Sequence, residues 1–537
     1  MFDGISGFPK RQESIYDAHD SGHASDSLSI ASGLAKARDL DNSHQEIVAV
    51  IGDASLSGGL AFEALNQIGH DQSKVTIVLN DNEMSISKTV GALSLYLSKA
   101  RMSKPYMMTR DTVESGLGRI GKAGRMLVNA GEAAKNSFKK LVVPGMFFED
   151  MGIKYIGPID GHNIADLRGV LTTAKQHLGP VLIHIVTKKG RGYAPAEKSP
   201  ELFHGIGSYD PDTGEVLSKQ GERPTYTTVF AQSLIAEADK NPNIVAITAG
   251  MEAGTGLSAF KDCFPSRFID VGIAEEHAVA QAAGLALGGK TPVVAIYSTF
   301  LQRAFDQIVI DVALQQQHVV FCVDRSGLVG EDGSTHHGAL DLAYLRSIPN
   351  MRIIAPAGAA QLRDALHTAL QLNDGPVAIR YPRGMTPDYC SDISGPAQKL
   401  PFAKANKLRQ GNDVAILALG DMVPIARQTA DLLADQGLQA AIYDMLWVKP
   451  LDAQAIAEAA KTKLIITIED GTVSGGFGSA VLETIAGMPR RQQVLCLGLP
   501  DSFVTHGATT TLFEQLGLTP SKIATTIKEH LDSQTSS

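Results

Sequence analysis

Short apolar runs recur along the whole chain and alternate with segments whose apolar residues return at helical spacing. Runs of this kind, bounded by Gly, Asp, Asn or Pro, are typical of buried strands. Alternating strands and helices predict an α/β fold with mostly parallel sheets. The predicted strands are 47–51, 75–79, 153–156, 181–186, 244–248, 268–271, 292–297, 319–323, 352–355, 377–381, 414–417, 440–443, 464–468 and 494–496.

Breaks in this alternation divide the chain. Residues 207–224 turn polar with Gly and Pro, which is typical of a linker, and a new strand series begins near Lys399. We therefore predict three consecutive units with parallel sheets flanked by helices, at residues 1–222, 223–395 and 396–537.

Composition narrows the classes of function. The chain has 537 residues, a net charge of −9 and a charged fraction of 20%. The negative charge argues against nucleic acid as the main partner. No apolar run reaches the length of a membrane span, so no membrane partner is predicted. The four cysteines lie far apart and form no CxxC pair, which fits a reducing compartment.

Two polar clusters follow two neighbouring predicted strands. Gly52-Asp53 ends the first, Gly58-Gly59 opens a helix, and Asn80-Asp81-Asn82 ends the second. The carboxyl ends of parallel strands meet at one sheet edge, where open α/β sheets bind ligands. A carboxylate and an amide oxygen suit Mg²⁺, which takes its remaining oxygens from phosphate and water. Each cluster alone is also typical of an ordinary turn.

The stretch 52–84 resembles the thiamine diphosphate signature, in which GD is followed by NDN. The wording LNDNEMSIS, KKGRGYAPAEK and YSTFLQRAFDQ is similar to the 1-deoxy-D-xylulose 5-phosphate synthase family. The resemblance implies a thiamine diphosphate-binding fold occurring twice, followed by a transketolase C-terminal-like domain. Residues 1–222 would bind diphosphate and Mg²⁺, and residues 223–395 the pyrimidine ring.

The resemblance also assigns cofactor residues in the first unit. Asp53, Asn82 and the Met84 carbonyl match metal ligands. Gly22-His23 before a helix can hold phosphate or cap that helix. Ala24 stands where the family has serine, and Ala54-Ser55 replace the end of the family's GDGA. The implied cofactor contacts in this unit are Gly22, His23, Ala24, Ala54, Ser55, Asn82 and Tyr193.

Residues of the second unit match the family's reacting centre. Glu275 matches the glutamate that bonds to N1′ of the aminopyrimidine, and Phe300 would wall that ring. A glutamate opening a helix is also common for electrostatic reasons alone. The other implied positions are Arg303 and Arg383 for phosphate, Arg325 for a carboxylate, Tyr297 for substrate, and Asp332 and His336 in the acceptor pocket.

His204, in the first unit, matches a substrate-pocket histidine, although a histidine in this context taken alone is more typical of a surface loop. His337 receives no role. The arginines, taken singly, are also typical of surface residues, and Gly330 to Gly333 is typical of a turn.

The implied reaction joins pyruvate to D-glyceraldehyde 3-phosphate with loss of CO₂, in a cytoplasmic homodimer. Two alternatives stay open. One is transketolase. The other is a catalytically impaired remnant or one part of a split enzyme, because the family's GHQAY-type motif and an earlier histidine do not occur in this sequence.

Overall fold

The computed structural model describes residues 2, 4–82, 84, 91–101, 145–217, 223–489 and 492–535. They group into two compact units. Unit A contains residues 23–219 and 272–274, and unit B contains residues 1–22, 220–271 and 275–537. The segment 99–140 is rich in Lys, Arg and Met at helical spacing, which predicts a solvated helix or a flap over the site. Apart from residues 99–101, it lies outside the described residues.

Unit A is built on a parallel sheet. Its strands are β1 (Val48–Gly52), β2 (Thr76–Asp81), β3 (Lys154–Asp160) and β4 (Val181–Val186). Within the described part of unit A they pair in the order β1, β2, β4, β3, all parallel. Gly52 lies opposite Asn80, so the polar residues that follow β1 and β2 emerge at one edge of the sheet.

Helices pack on this sheet through the faces that the apolar spacing predicts. Ala61, Leu65 and Ile68 of the helix after Gly58-Gly59 are completely buried. Burying each Leu or Ile contributes roughly 1.5–3 kcal/mol. The helices of unit A are α1 (Ser27–Leu40), α2 (Asp53–Leu56), α3 (Gly59–Asp71), α4 (Ala92–Arg101), α5 (Met146–Asp150), α6 (Ile164–Lys175) and α7 (Ala194–Lys198), with a 3₁₀ turn at Leu202–His204.

Unit B contains two sheets. Its strands are β5 (Ile244–Thr248), β6 (Phe268–Asp270), β7 (Thr291–Tyr297), β8 (Val320–Ser326), β9 (Arg352–Ile354), β10 (Val377–Pro382), β11 (Asn406–Arg409), β12 (Val414–Ala418), β13 (Ala440–Asp444), β14 (Trp447–Lys449), β15 (Leu464–Thr472) and β16 (Val494–Leu499). Among the described residues, one sheet has the order β14-β9-β10-β8-β7-β5-β6 and the other β11-β13-β12-β15-β16.

The helices of unit B cover both faces of these sheets, which explains why strands such as β12 are buried throughout. They are α8 (Tyr226–Lys240), α9 (Leu257–Cys263), α10 (Glu275–Leu287), α11 (Ser298–Leu301), α12 (Phe305–Gln307), α13 (Asp341–Ser347), α14 (Ala359–Ala369), α15 (Met422–Ala434), α16 (Ala453–Ala459), α17 (Phe477–Ala486), α18 (Thr509–Gln515) and α19 (Pro520–Thr535), with a π-helical segment at Ile308–Ala313 and 3₁₀ turns at Pro265–Arg267 and Gln302–Ala304.

The predicted α/β class with mostly parallel sheets is confirmed. Two antiparallel edge strands, β11 and β14, were not predicted from the sequence. The segment after Ile156 also differs from expectation, because β3 continues to Asp160 before Asn163 caps α6. None of the helices among the described residues combines the length and the apolar composition that a membrane span requires.

Candidate active site

Glu275 opens α10 in unit B, and its carboxyl group is buried, with 2% of the residue exposed. Arg303 Nη1 lies 3.8 Å from Glu275 Oε2, and no described residue hydrogen-bonds this oxygen. Burial raises the pKa of Glu275 from 4.5 to about 7, although Arg303 opposes the shift. A buried acid that titrates near neutrality and keeps an unsatisfied oxygen is suited to exchange a proton with a ligand nitrogen.

Aromatic rings form a wall at the carboxyl end of β7. The rings of Tyr297 and Phe300 stack with centroids 5.7 Å apart, and His336 meets Phe300 edge-on at 5.5 Å. Tyr297 is nearly buried, and the guanidinium of Arg325 lies 3.8 Å above its ring. The structure therefore brings these four predicted site residues together.

Arg325 has an unusual backbone at the end of β8. Its φ is +61°, in the left-handed region that side chains other than glycine rarely adopt. Its neighbour Asp324 is fully buried and accepts a hydrogen bond from Thr227 Oγ1 at 3.0 Å. Burial raises the pKa of Asp324 to about 7. Such backbone strain at a strand end is common at functional sites.

Arg383 and Asp332 form an ion pair with Nη1 and Oδ2 3.1 Å apart. Arg383 Nη1 also lies 3.4 Å from the Val329 carbonyl oxygen. Arg303 instead faces Glu275, so the two arginines predicted to bind phosphate have different acidic partners. Both members of the Arg383–Asp332 pair are partly exposed, so an incoming phosphate can compete for the guanidinium.

His336 is held by residues on both sides. Its Nδ1 lies 2.9 Å from Thr335 Oγ1, and Phe8 stacks on its ring with centroids 4.5 Å apart. Gly22 lies against Thr335 so closely that a Cβ at Gly22 would be 2.2 Å from Thr335 Oγ1. The close approach explains why glycine stands at position 22.

His337, to which the sequence assigned no role, has a structural role in the folded unit. Its Nδ1 accepts a hydrogen bond from the Val329 amide at 3.1 Å, and Nε2 donates to the Thr505 carbonyl oxygen at 3.1 Å. Burial lowers the pKa of His337, in agreement with a neutral ring that donates through one nitrogen and accepts through the other.

The predicted metal ligands lie at the polar edge of the unit A sheet. Asp53 begins α2 directly after β1 and is 3% exposed. Asn82 follows β2, and its Oδ1 accepts a hydrogen bond from the Met84 amide at 3.0 Å. The parallel register of β1 and β2 carries both segments to the same edge.

The chemistry of this donor set fits magnesium. Asp53 supplies one carboxylate, while Asn82 and the Met84 backbone offer neutral oxygens, which leaves coordination positions for phosphate and water. Among the described residues there is no group of three or more His, Cys, Asp or Glu side chains that could hold a metal ion. The described residues therefore form no metal site that is built from three or more such side chains.

The loop around the predicted diphosphate residues is tied together by Ser25. Its Oγ donates to the Ser55 carbonyl oxygen at 2.7 Å, and a Cβ at Gly58 would come within 2.4 Å of that Oγ. Ala54 is buried in α2. His23 and Ala24 are half-buried in the turn before α1. Ser25, with φ of +77°, is thus a supporting residue that the motif comparison missed.

His204 and Tyr193 lie in the last segment of unit A. His204 Nδ1 is 2.9 Å from Lys189 Nζ, and burial together with that ammonium lowers the pKa of His204. The Tyr193 hydroxyl donates to the Pro211 carbonyl oxygen at 2.8 Å, and its ring meets Phe203 edge-on. Lys189 was not predicted, although it belongs to the quoted KKGRGYAPAEK motif.

Three family models match successive parts of the chain. Residues 1–187 match a model described as 1-deoxy-D-xylulose-5-phosphate synthase, residues 222–388 match the transketolase pyrimidine binding domain, and residues 403–523 match the transketolase C-terminal domain. The fold and these matches together define a transketolase-like protein.

Curated relatives specify the family. The chain is 50% identical to the 1-deoxy-D-xylulose-5-phosphate synthase of Syntrophomonas wolfei over 98% of its own length and 82% of that protein. It is 48% identical to the synthase of Heliobacterium modesticaldum over 100% of its own length and 82% of that protein. The chain belongs to the 1-deoxy-D-xylulose-5-phosphate synthase family.

Solved structures agree with the fold. A structure titled as a split gene transketolase, inactive beta4 tetramer, is 31% identical with a TM-score of 0.51, covering 57% of this chain and 97% of that chain. The Campylobacter jejuni transketolase is 16% identical with a TM-score of 0.50, covering 95% of this chain and 82% of that chain, and supports the fold alone.

Proposed function

We propose that the chain catalyses the reaction of its family, the condensation of pyruvate with D-glyceraldehyde 3-phosphate to 1-deoxy-D-xylulose 5-phosphate and CO₂. The observation that supports it most directly is the buried Glu275, with one unsatisfied oxygen, in the segment matched by a pyrimidine binding domain. The product would feed isoprenoid and thiamine precursor synthesis in the cytoplasm, and the working form would be a homodimer.

The chain would use thiamine diphosphate with Mg²⁺. When bound, thiamine diphosphate supplies an electron sink for the carbon that pyruvate leaves after decarboxylation. Asp53, Asn82 and the Met84 carbonyl would hold the metal. Contacts to the cofactor would come from Gly22, His23, Ala24, Ala54, Ser55, Asn82, Tyr193, Glu275 and Phe300.

Glu275 would hold a proton at the pyrimidine ring nitrogen. Its pKa of about 7 keeps protonated and ionised forms both populated near neutral pH, which suits transfer in either direction. Burial excludes water from this carboxyl, so the ring nitrogen would meet it without competition. Arg303, 3.8 Å away, limits how far the pKa rises.

Cationic and ionisable side chains would position the substrates. Arg303 and Arg383 would bind the phosphate of the aldehyde, and Arg383 would exchange Asp332 for it. Arg325, supported by the Tyr297 ring, would face the carboxylate of pyruvate. Asp332, His336 and His204 would orient the acceptor and handle its protons.

The second candidate function is that of a catalytically impaired remnant or one part of a split enzyme, and one observation supports it. The split gene transketolase that matches 57% of this chain is described as inactive. Transketolase activity itself is less favoured, because the 1–187 match is to the synthase.

A calorimetric titration followed by an assay tests the proposal. Purified chain is titrated with thiamine diphosphate and Mg²⁺, then given pyruvate labelled at its carboxyl carbon and glyceraldehyde 3-phosphate. We expect Mg²⁺-dependent cofactor binding and release of labelled CO₂ together with the five-carbon product. A parallel sample receives a ketose phosphate as two-carbon donor in place of pyruvate, and ketol transfer there without CO₂ release from pyruvate would indicate transketolase. Binding without turnover in either sample would indicate the impaired remnant.

The variant Glu275→Ala should lower kcat by about 10²–10⁴-fold, the usual contribution of a positioned acid–base group. Glu276→Gln is the matched control, since the neighbouring glutamate opens the same helix. Equal activity of Glu275→Ala and the control would refute the role given to Glu275.

A further inference from the structure

A buried chain of hydrogen bonds crosses three neighbouring strands of unit A. His184 of β4 places Nε2 2.9 Å from Asp81 Oδ2 at the end of β2. Its Nδ1 lies 2.7 Å from the hydroxyl oxygen of Tyr155 on β3. Asp81 and His184 are 0% exposed and Tyr155 is 8% exposed. Burying polar groups to this extent costs free energy unless they are paired. The hydrogen bonds among these three side chains therefore hold them in one arrangement.

The direction of the hydrogen bonds can be assigned. Burial, with smaller effects of Tyr96 and Asp81, raises the pKa of Tyr155 well above its ordinary value, so the hydroxyl keeps its proton. It can donate to His184 Nδ1, and Nε2–H then donates to the Asp81 carboxylate. The carboxylate of Asp81 can only accept, so it fixes the tautomer of His184, and the hydrogen bond from Nε2–H in turn holds that carboxylate in place. The Tyr155 hydroxyl orients the ring through Nδ1.

The hydrogen-bonded series Tyr155–His184–Asp81 ends one residue before a proposed metal ligand. Asp81 precedes Asn82, whose Oδ1 accepts from the Met84 amide. Thr187, the residue that follows β4, holds the same strand end at two further points. The Thr187 amide donates to the Asp81 carbonyl oxygen at 2.9 Å, and Thr187 Oγ1 donates to Asn80 Oδ1 at 2.7 Å. The buried carboxylate is engaged inside the sheet, and the neutral residue after it starts the turn.

We propose that His184, supported by Tyr155, is a positioning residue that holds Asp81 inside the sheet so that the turn of Asn82 and Met84 presents its oxygens to Mg²⁺. The inference rests on the proposed metal-dependent function. Residues that orient metal ligands without touching the metal commonly change metal affinity by 10–100-fold when they are replaced. His184 has this relationship to the turn.

Three variants separate positioning from general stability. His184→Phe keeps a ring but removes both hydrogen bonds, which leaves Asp81 without His184. Tyr155→Phe removes only the outer hydroxyl. Phe148→Leu is the control, because Phe148 is buried in the same unit and stacks on Tyr155 at 6.0 Å without belonging to the hydrogen-bonded chain. The melting temperature of each variant is measured first.

The first readout needs no cofactor. Hydrogen–deuterium exchange of the peptide covering residues 79–84 reports the Met84 amide, which donates to Asn82 Oδ1. We expect faster exchange in His184→Phe than in Phe148→Leu at equal distance below their melting temperatures. Equal exchange in these two variants would overturn the proposal, even for a chain that binds no metal.

The second readout is the apparent Kd for Mg²⁺ at fixed thiamine diphosphate, measured by calorimetry on the full chain. We expect His184→Phe to weaken it by about 10–100-fold, Tyr155→Phe by only a few-fold, and Phe148→Leu not at all. Wild-type affinity in His184→Phe would overturn the inference and leave the proposed function standing. Absence of binding by the wild type would refute the proposed function for this chain and, with it, the metal-positioning role.

Discussion

At the scale of single residues, environment decides the chemistry of the candidate site. Glu275 and Glu276 are neighbours, yet only Glu275 is buried, and burial raises its pKa to about 7. The sequence identifies the acidic pair at the start of a helix. It does not say which member loses contact with water, because that depends on the neighbours that α10 meets in the folded unit.

The pKa of Glu275 predicts a pH-dependent cost in stability. The folded state binds the Glu275 proton more tightly than the unfolded chain does. The protonated carboxyl therefore contributes to the free energy of unfolding fully below pH 4.5, and this contribution is lost as pH rises through about 7. Ionisation therefore costs unit B roughly 3 kcal/mol by pH 8, since each pKa unit corresponds to about 1.4 kcal/mol.

Glu275→Gln removes the ionisation, so we expect its melting temperature to exceed that of the wild type at pH 8 and to approach it at pH 5. Differential scanning calorimetry of both proteins across this range measures the difference. Glu276→Gln should show no such trend. A constant difference between Glu275→Gln and the wild type at all pH values would contradict the burial argument.

At the scale of helices and strands, close packing explains particular glycines. Gly69 lies on α3, and a Cβ there would be 2.1 Å from the Met151 carbonyl oxygen. Gly33 lies on α1 with no atom within 4 Å of the corresponding position. Both are helical glycines in the sequence, and only the tertiary structure distinguishes them.

These two glycines predict opposite effects of the same substitution. Gly69→Ala should destabilise unit A by about 1–3 kcal/mol, because backbone atoms have to move. Gly33→Ala should stabilise it by about 0.5–1 kcal/mol, because alanine favours the helix. Urea unfolding followed by circular dichroism measures both. Similar changes in the two variants would show that the α3 contact with Met151 does not constrain the unit.

The strands show how far a pattern can lead. The long buried strands were predicted within a few residues, because a strand covered on both faces reads as a continuous apolar run. β11, with the sequence NKLR, and β14, with WVK, lack such a run. They are strands because β13 and β9 offer edges with which they pair.

At the scale of the whole molecule, a buried charge cluster joins the two sheets of unit B. Arg380 of β10 is completely buried, with Nε 3.0 Å from Asp341 Oδ2 and Nη1 2.6 Å from Asp470 Oδ1. Asp470 belongs to β15 in the other sheet. Burial raises the pKa of Asp341 even beside this guanidinium. The sheets therefore depend on each other's charges.

Arg380→Met should destabilise unit B by about 3–5 kcal/mol at pH 8, because two buried carboxylates lose their partner. The folded-state pKa of Asp341 would then rise further, so the loss should shrink as pH falls and Asp341 takes up a proton. Arg409→Met is the control, since Arg409 pairs with the largely exposed Asp431 and should change stability by less than about 1 kcal/mol. Calorimetric melting at pH 5 and pH 8 measures both, and equal effects of the two variants would contradict the prediction.

Some features of the candidate site were predictable from the sequence, and others were visible only in the structure. The positions of Asp53 and Asn82 at one sheet edge followed from the strand pattern, and the motifs brought Glu275, Arg303 and His336 into consideration. The sequence could not indicate that Arg383 pairs with Asp332 or that Phe8 stacks on His336, since these partners are far apart along the chain. The binding roles of all these residues stay predictions.

The sequence by itself determined the α/β class, the positions of most strands along the chain and the family, because each depends on local periodicity or on contiguous motifs. Only the tertiary structure decided which acid is buried and which glycine is crowded. It also decided which histidine contacts the residue before the turn of Asn82 and Met84. Those properties depend on the distance and burial of groups separated by many residues, as in the pairing of Asp81 with His184. No local pattern contains that information.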